Sequence, residues 1–238
     1  MTHWSIHITG DEFDLAELAQ CFTSPELSII KEENAYVLQS TELDSIEHAD
    51  EALERAKELI SLVSGAARLI IHAQRPLSVG NVARRIENGI EKISVILKDE
   101  VMVRDSITVT MISTDGTVET HRSSDATPIL VTAASKNPQM ARALRLYGSP
   151  PLDWKNLYCI YEIIEHASGG EKGLVQKDWA ARNQIERFTR TANHPGAAGY
   201  GARHGVQSAD PPSNPMTISE AIEFVGSLLR RSLSAIEP

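Results

Sequence analysis

The chain has 238 residues, 42% hydrophobic and 23% charged, an ordinary globular composition that excludes a collagen-like repeat, a disulfide scaffold or a disordered chain. Its formal net charge is −9 and its two cysteines, Cys21 and Cys159, lie in different halves without ligand spacing, so buried free thiols are expected rather than a zinc site. No apolar run approaches the roughly 18 residues that cross a bilayer, and Met1-Thr-His-Trp-Ser has no signal-peptide character, so a cytoplasmic two-domain protein with no membrane partner is expected.

In chain order, Trp4, Ile6 and Ile8 alternate as in a half-buried strand. A short helix follows over about Asp14 to Phe22, with Leu15, Leu18 and Ala19 on one face. Leu27–Ile30 and Ala35–Gln39 read as antiparallel strands around the polar loop Lys31–Asn34. Apolar positions from Ile46 to Val63 keep a helical period, predicting a helix over Asp44–Ser64 stopped at Gly65. Leu69–Ala73 then opens a run of strands that continues through Ser78–Glu87, Lys92–Lys98 and Ser106–Ile112. Asp115-Gly116 is a hairpin signal, because a type I′ turn needs positive φ at both central residues. His3, His7, His72 and His121 are expected to pack or face solvent. This half shows no glycine-rich strand-to-helix turn and no His/Asp/Glu cluster, so no cofactor and no metal is expected.

The strand pattern stops near Ser123–Pro128, and helical periodicity takes over from about Pro138. Met140, Leu144 and Leu146 mark a helix ended by Gly148-Ser-Pro-Pro151. Trp154–Ala167 carries an apolar band wide enough for a central helix. Ser168–Gly173 breaks the chain, and Val175–Thr191 holds one helix or two short ones. Asn193–Pro215 reads as a long loop, and Thr217/Glu220 as the capping box of a last helix to about Leu233. The expected fold is α+β: residues 1–125 form a mainly antiparallel sheet with covering helices, and residues 126–238 a small helical bundle.

Charge is divided unevenly. Residues 1–125 carry 22 acidic against 11 basic side chains, and residues 126–238 carry 10 against 12. A polyanion would therefore meet the C-terminal half. Within Lys177–Gly205, five basic side chains face two acidic ones, joined by His194 and His204. Arginine neutralises phosphate through its planar fork and histidine exchanges protons, and RNA cleavage needs little else. The other signals are weaker. Ser168-Gly-Gly-Glu-Lys-Gly lacks the spacing of a phosphate loop. Glu162 and His166 lie four apart on one helix face with no third metal ligand nearby. Trp154, Tyr158, Tyr161 and Trp179 offer a stacking surface for bases or, at helical spacing, a core.

Arg187 followed by six residues and His194 resembles the Arg–His motif of the HEPN superfamily, helical bundles that often dimerise and many of which are metal-independent endoribonucleases of toxin and antiviral defence systems. The resemblance spans at most residues 137–234. It implies that Arg187 stabilises the phosphate and His194 moves or orients a proton, with Arg190, Asn193, Arg203 and His204 contributing to substrate binding. It also implies RNA as partner and homodimerisation, while the N-terminal half, by its own residues, reads as a binding, sensing or dimerising platform with a regulatory role. The same residues fit a plainer reading, in which Arg187 and Arg190 lie on a solvated helix face and Asn193-His194-Pro195 ends that helix. The alternative function is then a non-catalytic protein-interaction or ligand-sensing module.

Overall fold

The computed structural model describes residues 2–33, 35–87, 90–95, 111–112, 118–119, 123–204 and 210–236. It is α+β, and the chain divides into two compact units, Met1–Ile129 and Leu130–Pro238.

The first unit opens with β1 (Thr2–Thr9), whose Trp4, Ile6 and Ile8 are buried as their alternation requires. Asp11 caps α1 (Glu12–Cys21) by accepting from the Phe13 N–H. β2 (Thr23–Ser24), β3 (Leu27–Lys31) and β4 (Tyr36–Gln39) follow, and β3 and β4 pair antiparallel with Ile30 opposite Val37. Next come α2 (Thr41–Asp44), α3 (Ala49–Ile70), β5 (Ser78–Glu87) and β6 (Ile90–Val95). The six strands form an all-antiparallel sheet in the order β2-β3-β4-β1-β5-β6. Helix α1 packs on β3, and α3 packs on β1 and β5. Two further short strands, β7 (Met111–Ile112) and β8 (Val118–Glu119), pair antiparallel. The Asp115-Gly116 turn, residues 96–98 and 106–110 of the expected strands, and His121 lie outside the described residues.

Two expectations in this unit are corrected. The helix expected over Asp44–Ser64 is two helices. Asp44 ends α2, where its carboxylate binds the His3 ring at 2.9 Å, and α3 starts only at Ala49. Gly65 does not stop α3, which runs on to Ile70. A mid-helix glycine costs about 1 kcal/mol relative to alanine; burial of Leu62, Val63, Ala66, Ala67 and Leu69 around it outweighs that cost. Leu69–Ala73 is consequently the end of a helix rather than a strand. The Ile71 N–H reaches the Ala67 carbonyl at 2.9 Å, and His72, exposed, takes a φ of 56° to turn the chain away.

The division between units falls within α4 (Ala126–Ser135), so helix begins earlier than the periodicity near Pro138 suggests. The second unit continues with α5 (Pro138–Gly148), capped by the Asn137 side chain, and α6 (Trp154–Ser168), capped by Asp153. The expected break at Ser168–Gly173 shrinks to Gly169 and Gly170, at φ 87° and 82°. Helix α7 (Gly170–Gln176) starts at once. Only glycine fits at Gly173, where a Cβ would lie 1.8 Å from the Ser168 carbonyl oxygen. After α8 (Arg182–Asn193) the expected loop contains a short helix, α9 (Pro195–Ala198), and a 3-10 turn at Gly199–Gly201. The last helix, α10 (Ile218–Ser234), begins with the Thr217/Glu220 capping box that the sequence predicts.

Helix α6 is the centre of this bundle and packs against α5, α7, α8 and α10. Phe188 of α8 is fully buried, with ring centroids of Tyr161, Phe224, Tyr158 and Trp154 at 5.3, 5.5, 6.0 and 6.3 Å. The segment between α8 and α10 is pinned at two points to the last turn of α8. The Arg203 N–H donates to the Ala192 carbonyl at 2.8 Å, and the Met216 N–H to the Thr191 hydroxyl at 3.0 Å.

Candidate nucleic-acid interface

Helix α8 carries the basic cluster because its apolar side, Ile185, Phe188 and Ala192, turns into the core. Its arginines project from the remaining faces. Arg187 and His194 are seven residues apart, close to two turns on one side of the helix and about 10 Å along its axis. Their contacts differ from those of a free phosphate site.

The Arg187 guanidinium makes four hydrogen bonds. Nη1 and Nη2 donate to the two oxygens of Glu220 at 3.0 Å each, Nη2 also to the Pro215 carbonyl at 3.0 Å, and Nε to the Asn214 carbonyl at 3.1 Å. This fork ties the start of α10 to α8. The Thr217 N–H, the Arg187 guanidinium and the Thr217 hydroxyl together hold the Glu220 carboxyl down at about 2. Arg190 faces Glu186 across one helical turn at 3.7 Å, an exposed pair that contributes little.

His194 is 7% exposed and ends α8. Its Nδ1 accepts from the Gly196 N–H at 3.0 Å, which makes it the N-cap of α9. The Asn193 amide nitrogen reaches the Tyr158 hydroxyl at 3.5 Å. Its Oδ1 is buried without a hydrogen-bond partner among the described residues.

Arg203 and His204 are exposed. The Arg203 guanidinium lies over the Tyr158 ring, 4.3 Å from its centroid, and Nη2 donates to Glu162 Oε1 at 2.8 Å. Stacking and ion pair fix the guanidinium plane while leaving other N–H donors of the fork unused by these contacts. Arg203, His204, Lys155 and the exposed Tyr200 line a cavity of about 530 Å³. Among the described residues, the side chains of Lys155 and His204 make no hydrogen bond or ion pair.

Of the six residues singled out in the sequence, the structure brings Arg203 and His204 to one cavity and sets Asn193 beside the tyrosine under Arg203. Arg187 and Arg190 bond elsewhere, and His194 caps a helix. Sequence reasoning missed Lys155 and Tyr200. Lys155 could have been found from its spacing to Tyr158 and Glu162, which puts all three on one side of α6. Tyr200, a lone aromatic in a glycine-rich stretch, had no periodic signal.

Trp154 and Tyr161 are core residues and Glu162 serves Arg203. Among the described residues no group of three or more His, Cys, Asp or Glu is arranged to hold a metal ion, and no described helix is long and apolar enough to cross a membrane. Burial, followed by the charges of Asp125 and Glu17, pushes the Cys21 thiol up to about 12, so it stays protonated. No family model matches the chain, and no curated protein or solved structure matches it either.

Proposed function

We propose that the C-terminal unit takes hold of RNA at the Lys155–Arg203–His204 cavity and cleaves it without a metal, the activity the HEPN resemblance implies, with the reacting centre at Arg203 and His204 in place of Arg187 and His194, the pair that carries the resemblance. One observation carries the reading: two cations and a histidine line a cavity of small-ligand size, whereas Arg187 gives four of its five N–H donors to protein acceptors. In this reading His204 accepts the 2′-hydroxyl proton as the O2′–P bond forms. The P–O5′ bond breaks, the departing O5′ takes a proton from solvent, and Arg203 and Lys155 stabilise the charge that builds on the phosphoryl oxygens. A 2′,3′-cyclic phosphate and a 5′-hydroxyl result. Arg187 and His194 frame this centre, fixing α10 and α9 on either side of the segment that bears Arg203.

The N-terminal unit, with its excess of acidic side chains, repels a polyanion and serves as a sensing or dimerising platform. A toxin or defence role follows from the resemblance alone. The test is incubation of the full chain with generic RNA in EDTA, followed by analysis of product ends. Cyclic-phosphate ends that vanish with His204→Ala support the nuclease. RNA left intact supports the second reading, a non-catalytic protein-interaction or ligand-sensing module, which the pairing of Arg203 with Glu162 favours.

A further inference from the structure

Lys155, Cys159, Glu162 and His166 recur at intervals of four, three and four residues along α6, so they share one side of the helix over about 16 Å. The first of them lines the cavity just described. The other three, with Arg142 of α5, line a second cavity of about 550 Å³. The two linings share no residue, but they are joined by one ion pair: Glu162 lines the second cavity, Arg203 the first, and they meet at 2.8 Å.

Charge follows the same line. Lys155 and Arg203 serve the first cavity, and Arg142 with His166 the second. Among the described residues the only carboxylate lining either of them is Glu162, and Arg203 answers it. An anion resting directly over Glu162 is repelled, whereas one on either side of it meets a cation. Ile163 and Cys159 add an apolar wall to the second cavity, suited to the face of a base rather than to a bare ion.

We infer that the two cavities are successive stations of one groove along α6, and that its ligand is an RNA of at least three nucleotides rather than a mononucleotide. The inference rests on the RNA reading of the first cavity. The second cavity takes the nucleotide beyond the reacting phosphate, with Arg142 and His166 on the next phosphate and the base against Ile163. Glu162 sets the spacing by keeping the two phosphates apart.

The experiment uses the full chain and labelled 2′-O-methyl oligouridylates, which bind but lack the attacking hydroxyl, followed by fluorescence anisotropy for a dimer, a tetramer and a hexamer. In the unmodified protein the tetramer is expected to bind roughly tenfold more tightly than the dimer, the worth of one added charged contact. That gain should disappear in the double variant Arg142→Ala/His166→Ala. The salt dependence of tetramer binding should also flatten by about 0.7 for the lost phosphate contact. Both side chains are exposed, so folding is not at stake. A gain that persists in the double variant, or no gain in the unmodified protein, overturns the inference. If Lys155→Glu/Arg203→Glu leaves dimer binding intact, the RNA reading of the first cavity fails and this inference with it. Tetramer binding weakened by Lys155→Glu/Arg203→Glu, with the length gain lost only in the second-cavity variant, supports both.

Discussion

Two arginines of the same basic cluster, Arg187 and Arg203, have opposite surroundings. Arg187 spends four of the five N–H donors of its fork on Glu220 and two backbone carbonyls, joining α8 to α10. Arg203 meets one carboxylate oxygen and the face of Tyr158 at the rim of a cavity. The histidine near each arginine shares its fate. His194 is buried and caps α9, and His204 is exposed beside the cavity. A charged motif therefore has to be read together with the acceptors the fold brings to it. A guanidinium already bonded on both edges holds structure, and one fixed by stacking remains available to a ligand.

The two histidines should part most widely in kinetics. His204→Ala is expected to lower RNA cleavage by roughly 10²–10⁴-fold, the span of lost acid–base catalysis, with the thermal midpoint unchanged. His194→Ala should instead remove a helix cap and cost about 1 kcal/mol of stability. Denaturant unfolding beside single-turnover cleavage separates the two, and the opposite pattern would return the reacting centre to Arg187 and His194.

Core packing gives the next largest effect. Phe188→Ala should destabilise the helical unit by roughly 3–5 kcal/mol, as truncation of a fully buried aromatic does, because four rings close on Phe188. A small change would mean that the neighbouring rings collapse into the space, and that the face of α8 opposite the arginines is not what fixes them.

A smaller effect separates the arginines by salt. Arg203→Ala should reduce the slope of log affinity against log salt by about 0.7, one phosphate contact of a single strand. Arg187→Ala should leave the slope unchanged and lower the thermal midpoint. Equal slopes in the two variants would erase the distinction drawn between them.

The smallest effects are titrations, with opposite signs in the two units. The Glu220 carboxyl is held at about 2, below its ordinary 4.5. Its stabilising contribution is therefore present above the ordinary value and lost as pH falls from there through about 2. Arg187→Ala should weaken this acid sensitivity, because the guanidinium is the second largest cause of the shift. Asp14 in α1 is raised to about 6 by burial first and then by Asp11 and Glu17. Its ionisation therefore costs stability as pH rises from its ordinary 3.8 through about 6. Asp14→Asn should remove that loss and make the N-terminal unit slightly more stable at neutral pH, as seen by thermal melts across pH.

Much of this architecture was legible along the chain because it is local. The alternation of Trp4, Ile6 and Ile8, the polar turn between β3 and β4, and the Thr217/Glu220 box each involve residues a few positions apart. What was not legible depends on distant partners. The acceptors of Arg187 lie 27 to 33 residues downstream, and Glu162, which fixes Arg203, lies 41 residues upstream. Gly65 carries the local mark of a helix end, and tertiary burial overrides it. In the candidate site, Arg203 and His204 are visible as a basic pair, and Lys155 is marked by its spacing to Tyr158 and Glu162, whereas its sharing a cavity with Arg203 depends on a segment more than 40 residues away.

The pinning of that segment to the last turn of α8 bears on what happens if the backbone is severed there. Trypsin cutting after the exposed Arg203 would leave α10 on a separate piece of chain. That piece would still be held by the Met216–Thr191 hydrogen bond, the Arg187–Glu220 fork and the apolar side of α10 on α6. The nicked protein should migrate as one particle in native conditions and as two fragments in denaturant. The two fragments, expressed separately and mixed, should reassemble, which makes this junction a place to divide the helical unit into complementing halves.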